Sequence, residues 1–190
     1  MLSMGANVNM YMYYGGTDFY YYNGANGDSK TYQPDPSSYD HDAPLSEAGD
    51  LTYKYFKIRE TAKKYFYVPD FDVSNTTKKS YGVVTFTESV SLYDALSIIG
   101  LVKQESPNLM TMEDLDVYYG FVLYQANIND GKVINITHCK DRGYVFLNKK
   151  LQCIVQHGEE KPCQIEAGGG QLDILVENQG RINYGNDFFE

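Results

Sequence analysis

From Val8 to Tyr13 hydrophobic and polar positions alternate with period two. Val8, Met10 and Met12 lie on one side, and Asn9, Tyr11 and Tyr13 on the other. Successive side chains of a strand point to opposite faces, so this run predicts a strand, ended by Gly15-Gly16-Thr17. Phe19 to Tyr22 is aromatic, and Asn23 to Lys30 is a Gly/Asn/Asp/Ser cluster that predicts a turn. Pro34 and Pro36 predict an extended connection through Ser38. Next, Leu51, Tyr55, Ile58, Ala62 and Tyr65 recur at spacings of four and three, with Lys54, Lys57, Lys63 and Lys64 on other faces. That pattern predicts an amphipathic helix, capped by Asp50 and ended before Pro69.

Pro69 to Ser80 is polar and turn-rich, and the pattern after it is β. Val83 to Thr87 and Val117 to Ile128 read as strands. A short helix is expected near Leu92 to Ile99. Tyr144–Leu147 and Gln152–Val155 flank Asn148-Lys149-Lys150, a hairpin signal. After Gly168-Gly169-Gly170, Leu172, Ile174 and Val176 alternate with Asp173, Leu175 and Glu177. Short strands separated by turns point to an antiparallel sandwich of jelly-roll type. The expected organisation is a first region over 1–66, a linker over 67–80 and a β-sandwich over 81–190.

Composition narrows the function classes. A chain of 190 residues is long enough for one or two domains but too short for a complete barrel of about 250 residues with anything added. The net charge of −9 repels nucleic acid and anionic membranes. There is no apolar run of about 20 residues, so no membrane-spanning helix is expected. Met1 to Asn7 shows no basic region followed by an apolar stretch, so no secretory leader is read there. Two acceptor triplets, at Asn75 and Asn135, are glycosylation candidates and would suit a secreted or lysosomal protein. Of Cys139, Cys153 and Cys163, the last two flank a short polar stretch and are placed to pair; three free thiols is the other reading. No His/Cys spacing marks a metal site and no cofactor is expected. The chain holds 19 Tyr and no Trp, which suits sugar recognition and sandwich cores alike.

Four segments carry a family likeness, in the family's order across nearly the whole chain. They are Asn9 to Asn26, Tyr39 to Leu51 (Tyr-Asp-His-Asp-Ala-Pro-Leu-Ser-Glu-Ala-Gly-Asp-Leu), Asp141 to Val145, and Val176 to Gly185. Together they resemble the lysosomal-type β-galactosidases of glycoside hydrolase family 35. The resemblance implies a mixed α and β chain: a remnant of the last strand and helix of a (β/α)8 barrel, then an antiparallel β-sandwich. It implies terminal β-D-galactosides, or galactose, as the ligand class.

Retaining hydrolysis needs two carboxyl groups about 5–5.5 Å apart, one nucleophile and one acid/base. In the family both are glutamates, in Asn-Glu-Tyr and Ser-Glu-Phe type motifs. Neither motif occurs here. Glu47 precedes Ala48-Gly49, and Glu177 precedes Asn178. A fragment without a catalytic residue, inactive alone, is therefore expected. The second tyrosine of the family's Tyr-Asp-Tyr-Asp, which hydrogen-bonds galactose, is His41 here; Tyr39 keeps the first. His41 and Tyr39 are the candidate substrate-binding residues; the rival readings are a loop histidine without a ligand role for His41 and loop bracing for Tyr39 and Asp40. Asp18 stands where the family has Asn. The run Tyr20-Tyr21-Tyr22 reads either as a sugar-stacking face or as a packed segment. Glu177, Asn178, Arg181 and Asn183 read either as a binding patch or, the favoured reading, as a strand-end turn fixed by Arg181 paired to a carboxylate. His138 and His157 receive no role. The alternative function is a non-catalytic carbohydrate-binding or interaction module, and a third reading is an incomplete gene product.

Overall fold

A computed structural model describes residues 1–28, 31–159 and 161–186. It divides into two compact units. One comprises residues 1–19 and 37–82; the other comprises 20–36 and everything from 83 onward. The segment 20–36 therefore groups with the β-rich part of the chain, away from its sequence neighbours.

The first unit is built from loops held by single bridges. A short 3-10 turn spans Leu2–Met4. Isolated pairings join Tyr14 to Leu45, Thr17 to Ser38 and Leu45 to Leu51. The alternating run Val8 to Tyr13 is not a strand. Val8, Met10, Tyr11 and Tyr13 stay exposed. Alternation gives a chain two faces, but a strand also needs a neighbour for its N–H and C=O groups, and this run has only the Leu45 N–H on the Tyr13 carbonyl at its end among the described residues. The helix, α1 (Tyr53–Ala62), is shorter than the pattern implied. Its N-cap residue is Thr52, not Asp50, because the Thr52 hydroxyl donates to the carbonyls of Ala43 and Pro44 and fixes the entry of the chain. The stripe Leu51, Tyr55, Ile58 and Ala62 is its half-buried face. No residue of α1 is fully buried, so its support is local. Lys57 pairs with Glu60 one turn on, and the Thr61 hydroxyl donates to the Lys57 carbonyl.

The second unit holds the sheets. A hairpin of β1 (Gly24–Asp28) and β2 (Thr31–Pro34) stands where a turn cluster was expected. Ser29 and Lys30 of that cluster lie outside the described residues. After α2 (Leu92–Ala95) come β3 (Gly120–Ile128), β4 (Val133–Ile134), β5 (Arg142–Leu147), β6 (Lys150–Gln156), β7 (Cys163–Gln164), β8 (Gly170–Asn178) and β9 (Arg181–Gly185). The main sheet has the order β3-β8-β5-β6, all antiparallel. A second sheet, β2-β1-β9, pairs β1 parallel to β9. A third joins β4 to β7. Gly185 shows why turn-type residues make a strand here: a Cβ on it would sit 1.6 Å from the Gly27 carbonyl oxygen. The two backbones meet there because Gly185 lacks a side chain.

The local expectations for Val117 to Ile128, the Asn148–Lys150 turn, a short helix near Leu92 and the Cys153–Cys163 pair meet the structure, with one exception elsewhere. Val117 to Ile128 supplies β3, and Asn148-Lys149 forms the turn of the β5–β6 hairpin. Both residues have positive φ, 49° and 66°, as a two-residue turn matched to strand twist requires. Ser91 caps α2, accepting from the Asp94 N–H. Cys153 and Cys163 are disulfide-bonded, tying β6 to β7, and Cys139 is a buried free thiol. The exception is Val83 to Thr87, which forms no strand. Val83 is 95% and Phe86 92% exposed, and no neighbouring strand pairs with the segment among the described residues. The chain as a whole is mixed, with few helices and several antiparallel pairings. No helix among the described residues is long and apolar enough to cross a membrane.

The core lies on one face of the main sheet. Val145, Leu147 and Val155 meet Cys139, Cys163 and Ile165 there, and Leu172, Ile174 and Val176 of β8 pack against them. On the other face Asp173 is fully buried. Its Oδ1 accepts from the side-chain amides of Gln125 and Gln171, both at 2.9 Å. The ring of Tyr93, on α2, packs edge-on against Phe146 on this same face. Burial, with the Asp173 charge added, pushes the Tyr93 phenol up to about 12.

Candidate functional site

Two family-like segments meet in the first unit. Gly15-Gly16-Thr17 runs beside Ser37-Ser38-Tyr39: the Tyr39 N–H donates to the Gly16 carbonyl and the Asp18 N–H to that of Ser37, both at 2.9 Å. Gly15 is required, since a Cβ there would fall 1.6 Å from the Tyr39 carbonyl oxygen. Glu47 locks the pair. Its carboxylate accepts from the Thr17 hydroxyl at 2.6 Å and the Ser38 hydroxyl at 2.7 Å. These two bonds hold its pKa below the usual carboxylate value. The Glu47 carbonyl also accepts from the Tyr14 hydroxyl. Each contact braces the loop.

On that loop Tyr39 and His41 come together. Their rings meet edge-on, 4.3 Å between centroids. The Tyr39 hydroxyl lies 3.1 Å from the Tyr11 hydroxyl. His41 is exposed and, like Asp42, has a left-handed backbone, φ 52° and 50°. Lys54, on the first turn of α1, fastens this turn by pairing with the Asp42 carboxylate at 2.7 Å and its carbonyl. The helix therefore positions the turn, and the turn presents His41 and Tyr39 beside Tyr11. The arrangement is a polar, aromatic surface with two phenols and an imidazole, suited to hydrogen-bonding neutral hydroxyl groups. Asp50, expected as a cap, instead pairs with Lys78. Asn75 is exposed, and its Oδ1 accepts from the Leu51 N–H at 2.8 Å.

A second polar centre lies in the other unit and involves a residue given no role by its sequence. Asp141 is 6% exposed. Its Oδ1 accepts from His157 Nδ1 and its Oδ2 from the Gln179 N–H, each at 2.8 Å. The His157 ring stacks on Tyr32 with centroids 4.3 Å apart and planes 9° from parallel. The Tyr32 hydroxyl donates to the Gly180 carbonyl at 2.7 Å. Burial first, and then the Asp141 charge, push the Tyr32 phenol well above its ordinary value. The centre joins β2, the β8–β9 turn and the end of β6. It borders a cavity of about 760 Å³, walled by Leu109, Met112, Tyr124, Ile136, Ile174 and Val176, with exposed Asn135 on its lining. Both oxygens of Asp141 are engaged, so the group fixes structure. The Asp141-Arg142-Gly143 motif was its only sequence signal. Asn178 and Arg181 also brace: Asn178 Oδ1 accepts from the Gly180 N–H, and Arg181 pairs with Glu113.

Residues 1–65 match the family described as glycosyl hydrolases family 35. Residues 109–190 match the beta-galactosidase first all-beta domain. Beta-galactosidase of Bos taurus is 44% identical over 99% of this chain and 30% of its own length. That of Homo sapiens is 40% identical over 99% and 29%, and beta-galactosidase 1 of Dictyostelium discoideum 35% over 97% and 32%. The chain thus spans about 30% of the length of the curated relatives it matches. By the two family matches and these relatives, this chain is similar to the β-galactosidases of glycosyl hydrolase family 35.

Proposed function

We propose that this chain is the end of a catalytic barrel joined to the first β-domain of a β-galactosidase acting on terminal β-D-galactosyl residues. In this reading residues 1–66 bring the last strand region, its loop and its helix. Residues 67–80 link, and 81–190 form the β-domain, with segment 20–36 added to it. The chain contributes galactose-contacting side chains, Tyr39 and His41, but not the two glutamates that cleave the bond. Hydrolysis by these 190 residues alone is not expected. A lysosomal or secreted setting follows from the family, and the triplets at Asn75 and Asn135 fit it.

One observation carries the reading. The Tyr39–His41 ring pair sits on a loop braced by Thr17, Ser38, Glu47 and Lys54, at the place where the resemblance puts a galactose ligand. A binding tyrosine and a histidine both donate hydrogen bonds, but the imidazole is shorter. His41→Tyr is therefore expected to tighten galactose binding, read by NMR titration of ring signals. The unaltered chain is expected to leave a chromogenic β-galactoside uncleaved. Galactose affinity that is the same in both proteins, or turnover by the purified chain free of other glycosidases, refutes the assignment.

A further inference from the structure

Five aromatic side chains of the second unit gather on its surface: Tyr20, Tyr21, Tyr22, Tyr119 and Phe121. Tyr20 and Tyr22 are stacked at 6.1 Å with planes 27° apart, and Tyr22 lies 5.1 Å from Tyr119. Tyr20 meets Tyr21 and Tyr119 edge-on, and Tyr21 meets Phe121 the same way at 5.6 Å. The rings touch one another yet face water. Tyr20 is 76% and Tyr22 70% exposed, and Tyr119 and Phe121 are also exposed. Tyr20 has φ 63°, a left-handed backbone that costs an ordinary aromatic residue about 1 kcal/mol or more. A segment that only needed to pack would bury these rings. Here a strained residue holds one out, and its neighbours line up beside it.

The chemistry of the patch selects its ligand. Four of the five side chains are tyrosines, so the surface offers flat apolar faces edged by hydroxyl groups. That matches a pyranose ring, which has an apolar C–H face and a rim of hydroxyls. Charge excludes anionic alternatives. The chain carries −9, and acids flank the patch: Asp116 lies three residues before Tyr119, and Glu177 is paired across the sheet from Phe121. Nucleic acid and an anionic lipid surface are repelled. Carboxylates at the edge are acceptors for the hydroxyls of a neutral sugar.

We propose that Tyr20, Tyr21, Tyr22, Tyr119 and Phe121 form a stacking platform that binds neutral carbohydrate. It uses residues that the galactose-contacting pair Tyr39 and His41 does not, and it draws on the β-galactosidase reading only for the choice of probe. The platform takes the sugar by ring stacking, without bond chemistry.

The test uses the full chain with lactose. Binding is measured by saturation-transfer NMR and by titration of the tyrosine ring signals up to about 10 mM, the range of weak stacking sites. Tyr22→Ala and Tyr20→Ala are each expected to weaken lactose binding at least about fivefold. Tyr20→Phe, which keeps the ring, stays within about twofold. The titration is read at the ring signals of Tyr20, Tyr21, Tyr22, Tyr119 and Phe121 for the platform and at those of Tyr39 and His41 for the loop, so failure of the Tyr39–His41 assignment and failure of the platform give different results. Circular dichroism melts of the alanine variants are expected to overlay the parent, because the rings are exposed. No saturation transfer to lactose, or transfer unchanged in both alanine variants, overturns the proposal. So does sedimentation showing that Tyr20→Ala turns a dimer into a monomer, which makes the patch a protein interface.

Discussion

Replacing Asp141 with Asn removes one formal charge and one acceptor from a closed site. The carboxylate accepts two hydrogen bonds of 2.8 Å, from His157 Nδ1 and the Gln179 N–H, and both side chains of the His157–Asp141 pair are mostly shielded. An asparagine has one carbonyl oxygen, so its amide must face one of the two donors. A charge-assisted bond of about 1.5–3 kcal/mol is lost, and a buried donor left unpaired costs about 1–3 kcal/mol more. Together they approach the ~3–5 kcal/mol typical of breaking one side of a buried ion pair. The assay is a urea melt followed by far-ultraviolet circular dichroism. With a slope of about 1.5 kcal/mol per molar, a 3 kcal/mol loss moves the midpoint down by about 2 M. Tyr32→Phe keeps the stack on His157 but deletes the bond to the Gly180 carbonyl, and should cost about 1 kcal/mol. Amide exchange should rise in β1, β2 and the β8–β9 turn before it rises in the centre of β5. A shift for Asp141→Asn below about 0.5 kcal/mol would show that the site is wet or that the three segments are held some other way.

Three further outcomes are expected. Reducing the Cys153–Cys163 disulfide, whose partners are 10 residues apart, should lower unfolding free energy by about 3 kcal/mol on chain entropy; a melt indifferent to reductant contradicts the pairing. Burial pushes the Cys139 thiol up to about 11, so at pH 8 its thiolate is roughly 100-fold rarer than that of an ordinary cysteine. Iodoacetamide should label it only in denaturant, and rapid labelling of the native chain would contradict its burial. Glu47 has a folded pKa lowered by the Thr17 and Ser38 bonds, so its contribution is present above the unfolded value and is lost as pH falls through the folded one. Glu47→Gln should flatten that acid-side loss, monitored at the Tyr39 ring signals; an unaltered acid transition removes Glu47 from the bracing role.

Much of the β architecture was legible because its strands are stabilised by their own side chains. Arg142 to Leu147 alternates between half-buried and buried, and Leu172, Ile174 and Val176 share the core face, as period two requires. What was hidden depends on distant partners. Gly24 to Asp28 has the composition of a turn and is a strand because β9, far along the chain, pairs with it, closely enough at Gly27 that its partner Gly185 has no room for a side chain. Val8 to Tyr13 and Val83 to Thr87 have strand character and no strand beside them among the described residues. In the first unit, the positions of Tyr39 and His41 were legible from a motif, but the bracing by Thr17, Glu47 and Lys54 was not. His157 carried no signal at all, since its partners Asp141 and Tyr32 are separated from it by a hairpin and by most of the chain.

Residues 20–36 leave their sequence neighbours and contribute β1, β2 and Tyr32 to the β-rich unit. That unit is therefore discontinuous along the polypeptide. A cut at residue 81, the natural place to divide the chain by composition, would strip β9 of its parallel neighbour and leave His157 facing solvent. Recombinant division of this protein, or swapping of its β-part between relatives, succeeds only if the early excursion travels with the late strands.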